Sequence, residues 1–314
     1  MRTATGCREY AAALMLQQFD ERNRNILINI NGELLPRDQA GISPFDSSVQ
    51  GGDAVWEGLR LYDGRIFCLT EHLDRLRRSA QALSFEKIPD HQFLIDELKR
   101  TLVANEMRDG VHIRLTLTRG EKITSGMDPR LNQAGPTLIV LAEFKEPVYD
   151  KTGISLITAS MRRPTPDVLD PKIHHANLLN SILAKIESNV AGADDALMLD
   201  SRGFVAETNA THLFVVDDDE ILRTSHLLAC PEGVTRATIL QLCRELDIPA
   251  IETDISLAEV YRAKEVFCTG TMGELAGVSR VDGRIIGEGT VGSFTMRLSK
   301  AYGEHVRRSG TQII

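Results

Sequence analysis

The residues able to do chemistry lie mostly in the second half of this 314-residue chain. The stretch "DPKIHHANLLNSILAKIE", Asp170 to Glu187, sets Lys172 and two adjacent histidines ahead of a helical run. A lysine there offers an amine to a carbonyl carbon. In extended chain His174 and His175 point to opposite faces. No cysteine and no histidine four residues on accompanies them, so a metal site is not expected. They are expected to cap the helix start or to line a pocket. Glu207 sits in the otherwise apolar run "GFVAETNATHLFVV". A carboxylate buried there needs a partner, either a nearby Arg or Lys or the protonated ring nitrogen of a bound cofactor.

Two further stretches suit anions. "EGVTRATIL" starts a helix at a glycine, so backbone N–H groups around Val234 and Thr235 carry the positive end of the helix dipole outward. The alternative is a simple capped helix with Thr235 as the cap. "CTGTMGE" ends a strand in hydroxyls and exposed N–H groups, an anion turn or a plain glycine loop. Arg75, in "EHLDRLRRSA", either joins Arg77 and Arg78 on a solvated helix face or points to another element. "GVHIRLTLTRG" alternates, with His112, Arg114, Thr116 and Thr118 on its polar face.

These groups need strands and helices to hold them. "ILINING" reads as a strand ending in an Asn31-Gly32 hairpin turn. "GLRLYDGRIFCLTEHLDRLRRSAQAL" reads as two strands about Asp63-Gly64, then a helix with Thr70 as N-cap and Leu73, Leu76, Ala80 and Leu83 on one face. "HQFLIDELKRTLVANEM" is a second amphipathic helix, and "TLIVLAEF" a strand. The turn-rich run Lys145–Gly153 separates this α+β part from a second one. There "ISLITAS" is a strand and "NLLNSILAKIESNVAG" a helix closed by Gly192. Further strands and the helices "VTRATILQLCREL" and "SFTMRLSKAYGEHV" follow. The domain division is residues 1–25 as an N-terminal arm read as a helix or arm outside the core, 26–147 as a small α+β domain, 148–153 as a linker and 154–314 as a larger domain.

Net charge is −8, with 42% hydrophobic and 25% charged residues. This profile is that of a soluble globular protein and gives no basic face for nucleic acid or membrane. No apolar run reaches the length of a membrane span, and no secretory signal is expected. The five cysteines are scattered, without C-x-x-C spacing, which fits reduced thiols in a cytoplasmic protein.

Five ordered blocks, "VWEGLRLYDGRIFCLTEHLDRLRRSA", "KIHHANLLNSILAKIE", "GFVAETNATHLF", "EGVTRATI" and "CTGTMGELAGVSRVDGR", resemble the class IV aminotransferases. The likeness runs from about Ile26 to the C-terminus. It implies the two-domain α+β architecture of fold-type IV: a smaller N-terminal domain and a larger C-terminal one built on a mixed, barrel-like sheet with helices. It implies pyridoxal 5′-phosphate as cofactor, transfer of an amino group between a branched-chain or other hydrophobic amino acid and a 2-oxo acid such as 2-oxoglutarate, and at least a homodimer. Arg75, Val234, Thr235 and Thr271 would hold the phosphate, and Glu207 the pyridine nitrogen. Gly58, Arg60, His112, Arg114, Thr271 and Met272 would form the substrate pocket. The family's covalently linked lysine stands three or four residues before the asparagine of "N-[YL]-L". Here those positions are His174 and Ile173, and Lys172, five residues before Asn177, is expected to take the role across a longer loop. The alternative has His174 in the lysine's place, with the cofactor held without a covalent bond. "ITSGMDPR" after "LTRG" resembles a carboxylate-binding loop of other branches, and Arg119 or Arg130 would suit a substrate carboxylate. Other readings within the family are lyase chemistry on an amino-deoxy sugar-acid, D-amino acid or (R)-amine transamination, and a cofactor-binding relative with impaired catalysis.

Overall fold

The computed structural model describes residues 17–314; residues 1–16 of the expected N-terminal helix or arm, Cys7 among them, lie outside these. A short 3-10 turn, Glu21–Asn23, leads into the first sheet. It is fastened by the Asn23 side chain, which exchanges hydrogen bonds of 2.9 and 2.8 Å with the backbone of Phe144. The sheet takes β1 (Leu27–Ile30), β2 (Glu33–Pro36), β3 (Ala54–Tyr62), β4 (Arg65–Ile66), β5 (Val111–Thr118) and β6 (Thr137–Phe144). Its helices are α1 (Ser47–Gly51), α2 (Leu69–Ala82) and α3 (His91–Ala104).

Turn chemistry sets the hairpins. Asn31 and Gly32 adopt φ of 52° and 83° between β1 and β2, and Asp63 and Gly64 adopt 48° and 77° between β3 and β4. Both pairs match the left-handed pair of a type I′ turn. The leucine stripe of α2 packs as its spacing predicts: Leu73, Leu76 and Ala80 are fully buried against the sheet. Its start differs from expectation. The helix begins at Leu69 after Cys68 in a left-handed conformation, with no side-chain cap. Thr70 therefore lies inside the first turn.

The second sheet takes β7 (Ile154–Arg162), β8 (Asp195–Leu199), β9 (Val205–Thr208), β10 (His212–Val216), β11 (Leu222–Thr224), β12 (Ala250–Glu252), β13 (Glu265–Gly270), β14 (Glu274–Val281) and β15 (Arg284–Ile285). Their order is β12-β11-β10-β13-β14-β7-β8-β9, with β15 on β14. The helices are α4 (Pro166–Leu169), α5 (Leu179–Ala191), α6 (Val234–Glu245), α7 (Leu257–Tyr261) and α8 (Ser293–Ser309). β7 and β8 are parallel, joined through α5, and β11 and β12 are parallel, joined through α6. Gly192 ends α5 in a left-handed cap. One face of the sheet packs with α7 residues such as Val260. The other carries the stacked Phe214 and Phe267 rings, with α6 and α8 over them. That second core also takes in Tyr62 and Phe67 of the first half. The chain then returns: β16 (Thr311–Gln312) pairs with β4, at the edge of the first sheet. This return and the shared core clamp the two halves together, and a cavity lies between them.

Candidate active site

The cavity has a volume of about 540 Å³, the size of a small-molecule site. Trp56 and Gly58 of β3, His112 of β5 and the connecting residues Val148 and Tyr149 line it. Glu207, the turn Asn209–Thr211, His212, the start of α6 and the turn from Thr269 to Gly273 line it as well.

Around the start of α6 the cavity gathers polar groups without partners. Gly233 precedes α6 without any side-chain cap, so the first-turn N–H groups of Val234, Thr235 and Arg236 lack helical partners. Thr235 is a buried residue inside the helix, not the cap that the alternative reading of "EGVTRATIL" expected. A glycine is required at the cap, because a Cβ there would stand 2.3 Å from the His212 ring. At Gly273 a Cβ would stand 2.2 Å from the Tyr149 ring. Both turns thus pack against rings that line the cavity more closely than a side chain permits. Thr269 adds a buried hydroxyl with no partner, and His212 adds two ring nitrogens with none. Burial, then Arg236 and Arg75, pushes His212 down to about 3, so its ring is neutral. A neutral imidazole has one N–H to donate and one lone pair.

Arg75 lines the same cavity. Its Nε and Nη2 grip the carboxylate of Glu57 at 2.8 and 2.7 Å, and its Nη1 donates to the carbonyl of Glu232 at 2.6 Å. The two-pronged grip expected on a phosphate is taken by Glu57, leaving two of the five guanidinium N–H bonds. Glu57 is fully buried and also meets His72 Nδ1 at 2.7 Å. Burial alone would raise its pKa, but Arg75 and His174 outweigh it and hold the carboxyl well below the usual range.

Glu207, on β9, lines the same cavity. It is 5% exposed, and burial raises it to about 7 against the pull of Arg163 and Arg75. One oxygen pairs with Arg163 Nη2 at 2.8 Å; this is the salt bridge weighed above, and the carboxylate still lines the cavity.

The segment before α5 separates the lysine from the histidines. Val55 bridges to His175, the Trp56 N–H donates to the His174 carbonyl and the Ala176 N–H to the Ala54 carbonyl. This strand-like pairing enforces alternation. His174 faces the cavity, His175 does not, and Ile173 packs against the first core. Lys172 falls in the preceding turn, its N–H held by Asp170 Oδ1 at 2.9 Å. Its exposed side chain borders a separate cleft with Arg78, Asp170 and Glu232. Lys172 is therefore not brought to the cavity, because the longer loop is spent in that turn. Lys185 is the lysine that does line it, and its ammonium is held by Asp195 Oδ1 at 3.1 Å and by the Asp194 carbonyl.

Of the other expected residues, Gly58, His112, Val234, Thr235, Thr271 and Met272 line the cavity. Arg60 and Arg114 stand behind them. Arg60 is buried, donates to the Lys145 carbonyl at 3.0 Å, and has Nε and Nη1 without partners. Arg114 stacks over the Trp56 indole at 4.0 Å. Arg119 is held by Asp53 and Arg130 by Asp128, both bordering a different cleft. Among the described residues no group of three or more metal-binding side chains converges. The cavity residues not anticipated include His212, Trp56, Lys185, Thr269 and the pair Tyr149–Asp195, whose hydroxyl and carboxylate meet at 2.5 Å. Glu57, behind them, was also missed. Glu57 and His212 carry the signal that singled out Glu207, an ionisable residue in an apolar strand.

A family model described as amino-transferase class IV matches residues 54–281. A branched-chain-amino-acid aminotransferase-like protein 2 of Arabidopsis thaliana is 54% identical over 93% of this chain and 52% of its own length. The chain thus spans about half the length of that relative. A branched-chain-amino-acid aminotransferase of Pseudomonas aeruginosa is 33% identical over 89% of this chain and 92% of its own. Among solved structures, a T.th. branched-chain amino acid aminotransferase with pyridoxamine 5′-phosphate superimposes with a TM-score of 0.84, at 33% identity, covering 90% of this chain and 95% of that one. The fold is therefore the two-domain α+β architecture of fold-type IV.

Proposed function

Because the chain belongs to the class IV aminotransferase family, we propose that it binds pyridoxal 5′-phosphate and moves an amino group between a hydrophobic, branched-chain-like amino acid and a 2-oxo acid such as 2-oxoglutarate. The observation that carries this reading is that one cavity is lined both by the uncapped start of α6 and by the buried carboxylate of Glu207. Two unpartnered buried donors, His212 and Thr269, line it too, and they fit a phosphate that would satisfy them. When bound, this cofactor withdraws electrons from the carbon that bears the amino group.

The chain's own residues do the rest. Val234 and Thr235 N–H groups, Arg75 and the Thr271 hydroxyl bind the phosphate. Glu207 accepts a hydrogen bond from the pyridine nitrogen. A cation beside Glu207 favours its ionised form, opposing the burial that raises it. Trp56, Gly58 and His112 shape an apolar substrate pocket, and Thr271 and Met272 offer N–H groups to a carboxylate. Burial, then Lys145, pushes His112 down to about 3, so it too meets substrate neutral. Arg60 and Arg114 brace this wall from behind. Lys172, outside the cavity, takes no part in the assignment.

A second copy of the chain belongs to the same proposal. Leu179, Ile182, Leu183, Ile186 and Val190 of α5 are all exposed and form one apolar stripe at helical spacing. A cytoplasmic location is supported by the free cysteines Cys68, Cys230, Cys243 and Cys268; no helix among the described residues is long and apolar enough to cross a membrane.

The test is a panel of L- and D-amino acids and amines added to the full chain with pyridoxal 5′-phosphate, followed by chromatography of the cofactor. Conversion to pyridoxamine 5′-phosphate with hydrophobic L-amino acids, reversed by 2-oxoglutarate, is expected. No conversion with any donor would contradict the transfer. A second reading, a cofactor-binding relative with impaired catalysis, is favoured by the position of Lys172, and binding without conversion would select it.

A further inference from the structure

The position that faces the cavity just before α5 holds an imidazole, and its hydrogen bonds fix which nitrogen is free. His174 Nδ1 lies 2.5 Å from the Trp56 carbonyl oxygen. A carbonyl can only accept, so Nδ1 carries the hydrogen and Nε2 keeps a lone pair. Nε2 has no hydrogen-bond partner among the described residues and is not a sealed-off atom; the side chain is 17% exposed and lines the cavity. The ring is held flat against the Trp56 indole, centroids 4.5 Å apart at 25°. Its backbone N–H is tied to Ser79 Oγ at 3.0 Å. The Glu57 carboxylate stands 3.5 Å from Nδ1, placed to balance a positive charge on the ring. A rotationally locked imidazole with a bare nitrogen over a cavity and a carboxylate behind it is the arrangement of a general base. The amine of Lys185, by contrast, is occupied by Asp195 and the Asp194 carbonyl.

Resting on the cofactor reading above, we infer that this cavity holds pyridoxal 5′-phosphate without a covalent bond to the protein, and that Nε2 of His174 takes the proton from the substrate's α-carbon. In that step the C–H bond breaks and its electron pair stays on the carbon. An N–H bond forms at Nε2, giving an imidazolium paired with Glu57. Return of a proton from Nε2 to the α-carbon restores the neutral ring and the C–H bond, and a ring that has first swapped its proton with solvent returns deuterium instead. The cofactor therefore exchanges freely with solution, in its aldehyde and its amine form alike.

The full chain loaded with pyridoxal 5′-phosphate, reduced with borohydride and denatured, is expected to keep its unmodified mass. Desalting is expected to strip the cofactor. His174→Lys is expected to gain the pyridoxyl mass at residue 174 and to retain the cofactor on desalting. His174→Gln is expected to bind pyridoxal 5′-phosphate within about threefold of wild type by fluorescence titration. Its exchange of the α-proton of a bound amino acid for deuterium, followed by NMR, is expected to fall at least about a hundredfold, in line with the contribution of a general base. A reduced adduct on the wild-type chain, mapped to Lys172 or Lys185, overturns the inference and leaves the cofactor reading standing. Unimpaired exchange in His174→Gln overturns the role of Nε2. A chain that binds no pyridoxal 5′-phosphate overturns both.

Discussion

Single ionisable side chains set the character of this cavity, and their effect on stability is measurable. Burial raises Glu207 to about 7 from the ordinary value near 4.3 in an unfolded chain. Between those values the folded chain binds the proton that the unfolded chain has lost, so this residue's contribution is full below pH 4 and fades as pH rises to 7. Glu207→Gln removes that dependence. Urea melts without added ligand at pH 5 and pH 8 are expected to show the mutant losing less stability across the interval than wild type, by on the order of 3 kcal/mol. An unchanged difference would place the raised group elsewhere. His212 runs the opposite way. Pushed down to about 3 from about 6.5, it must stay neutral in the fold, so stability is lost as pH falls below 6.5. Glu207 was legible in the sequence because a carboxylate in "GFVAETNATHLF" has no cheap burial. The same logic applies to Glu57 in "VWEGLRLY". Its partners were not legible: Arg75 lies 18 residues away in the chain, and His174 reaches it only through the fold.

At the scale of elements, the start of α6 is the proposed anion site. Its N–H groups need no side chain, but they need room. Gly233→Ala sets a Cβ 2.3 Å from the His212 ring, which must then move into the cavity. Overpacking of this kind costs about 1–3 kcal/mol. Calorimetry is expected to show affinity for pyridoxal 5′-phosphate falling about tenfold or more, with a lowered melting temperature. Wild-type affinity in that mutant would show that the helix start is not the anion site. The strands and helices were largely readable, because β5 alternates at period two, α2 carries a leucine stripe, and Asn31-Gly32 and Gly192 satisfy left-handed backbone. The loop before α5 was not. Whether residue 172 or 174 enters the cavity depends on the bridge from Val55 to His175, a contact 120 residues apart in the chain that local spacing does not encode. The start of α2 at Cys68 rather than Thr70 is a smaller case, in which backbone geometry supplied the boundary without a capping side chain.

For the whole molecule, the cavity exists because two sheets face each other across residues 145–153 and β16 ties the last residues back to the first sheet. In the proposed dimer the exposed stripe on α5 meets a second copy. Ile186→Glu sets a charge in the stripe at a position that does not itself line the cavity, so sedimentation is expected to shift the chain from dimer to monomer. A monomeric wild type, or an undisturbed dimer in the mutant, would remove α5 from the interface. The central claim is the direction in which the bound cofactor lies, and a crystal structure of the full chain with pyridoxamine 5′-phosphate tests it most directly. The account predicts the phosphate against the N–H groups of Val234 and Thr235, the pyridine nitrogen within hydrogen-bond distance of Glu207, and no bond to any lysine. A ligand lying the other way round, or none in the cavity at saturating concentration, would contradict it.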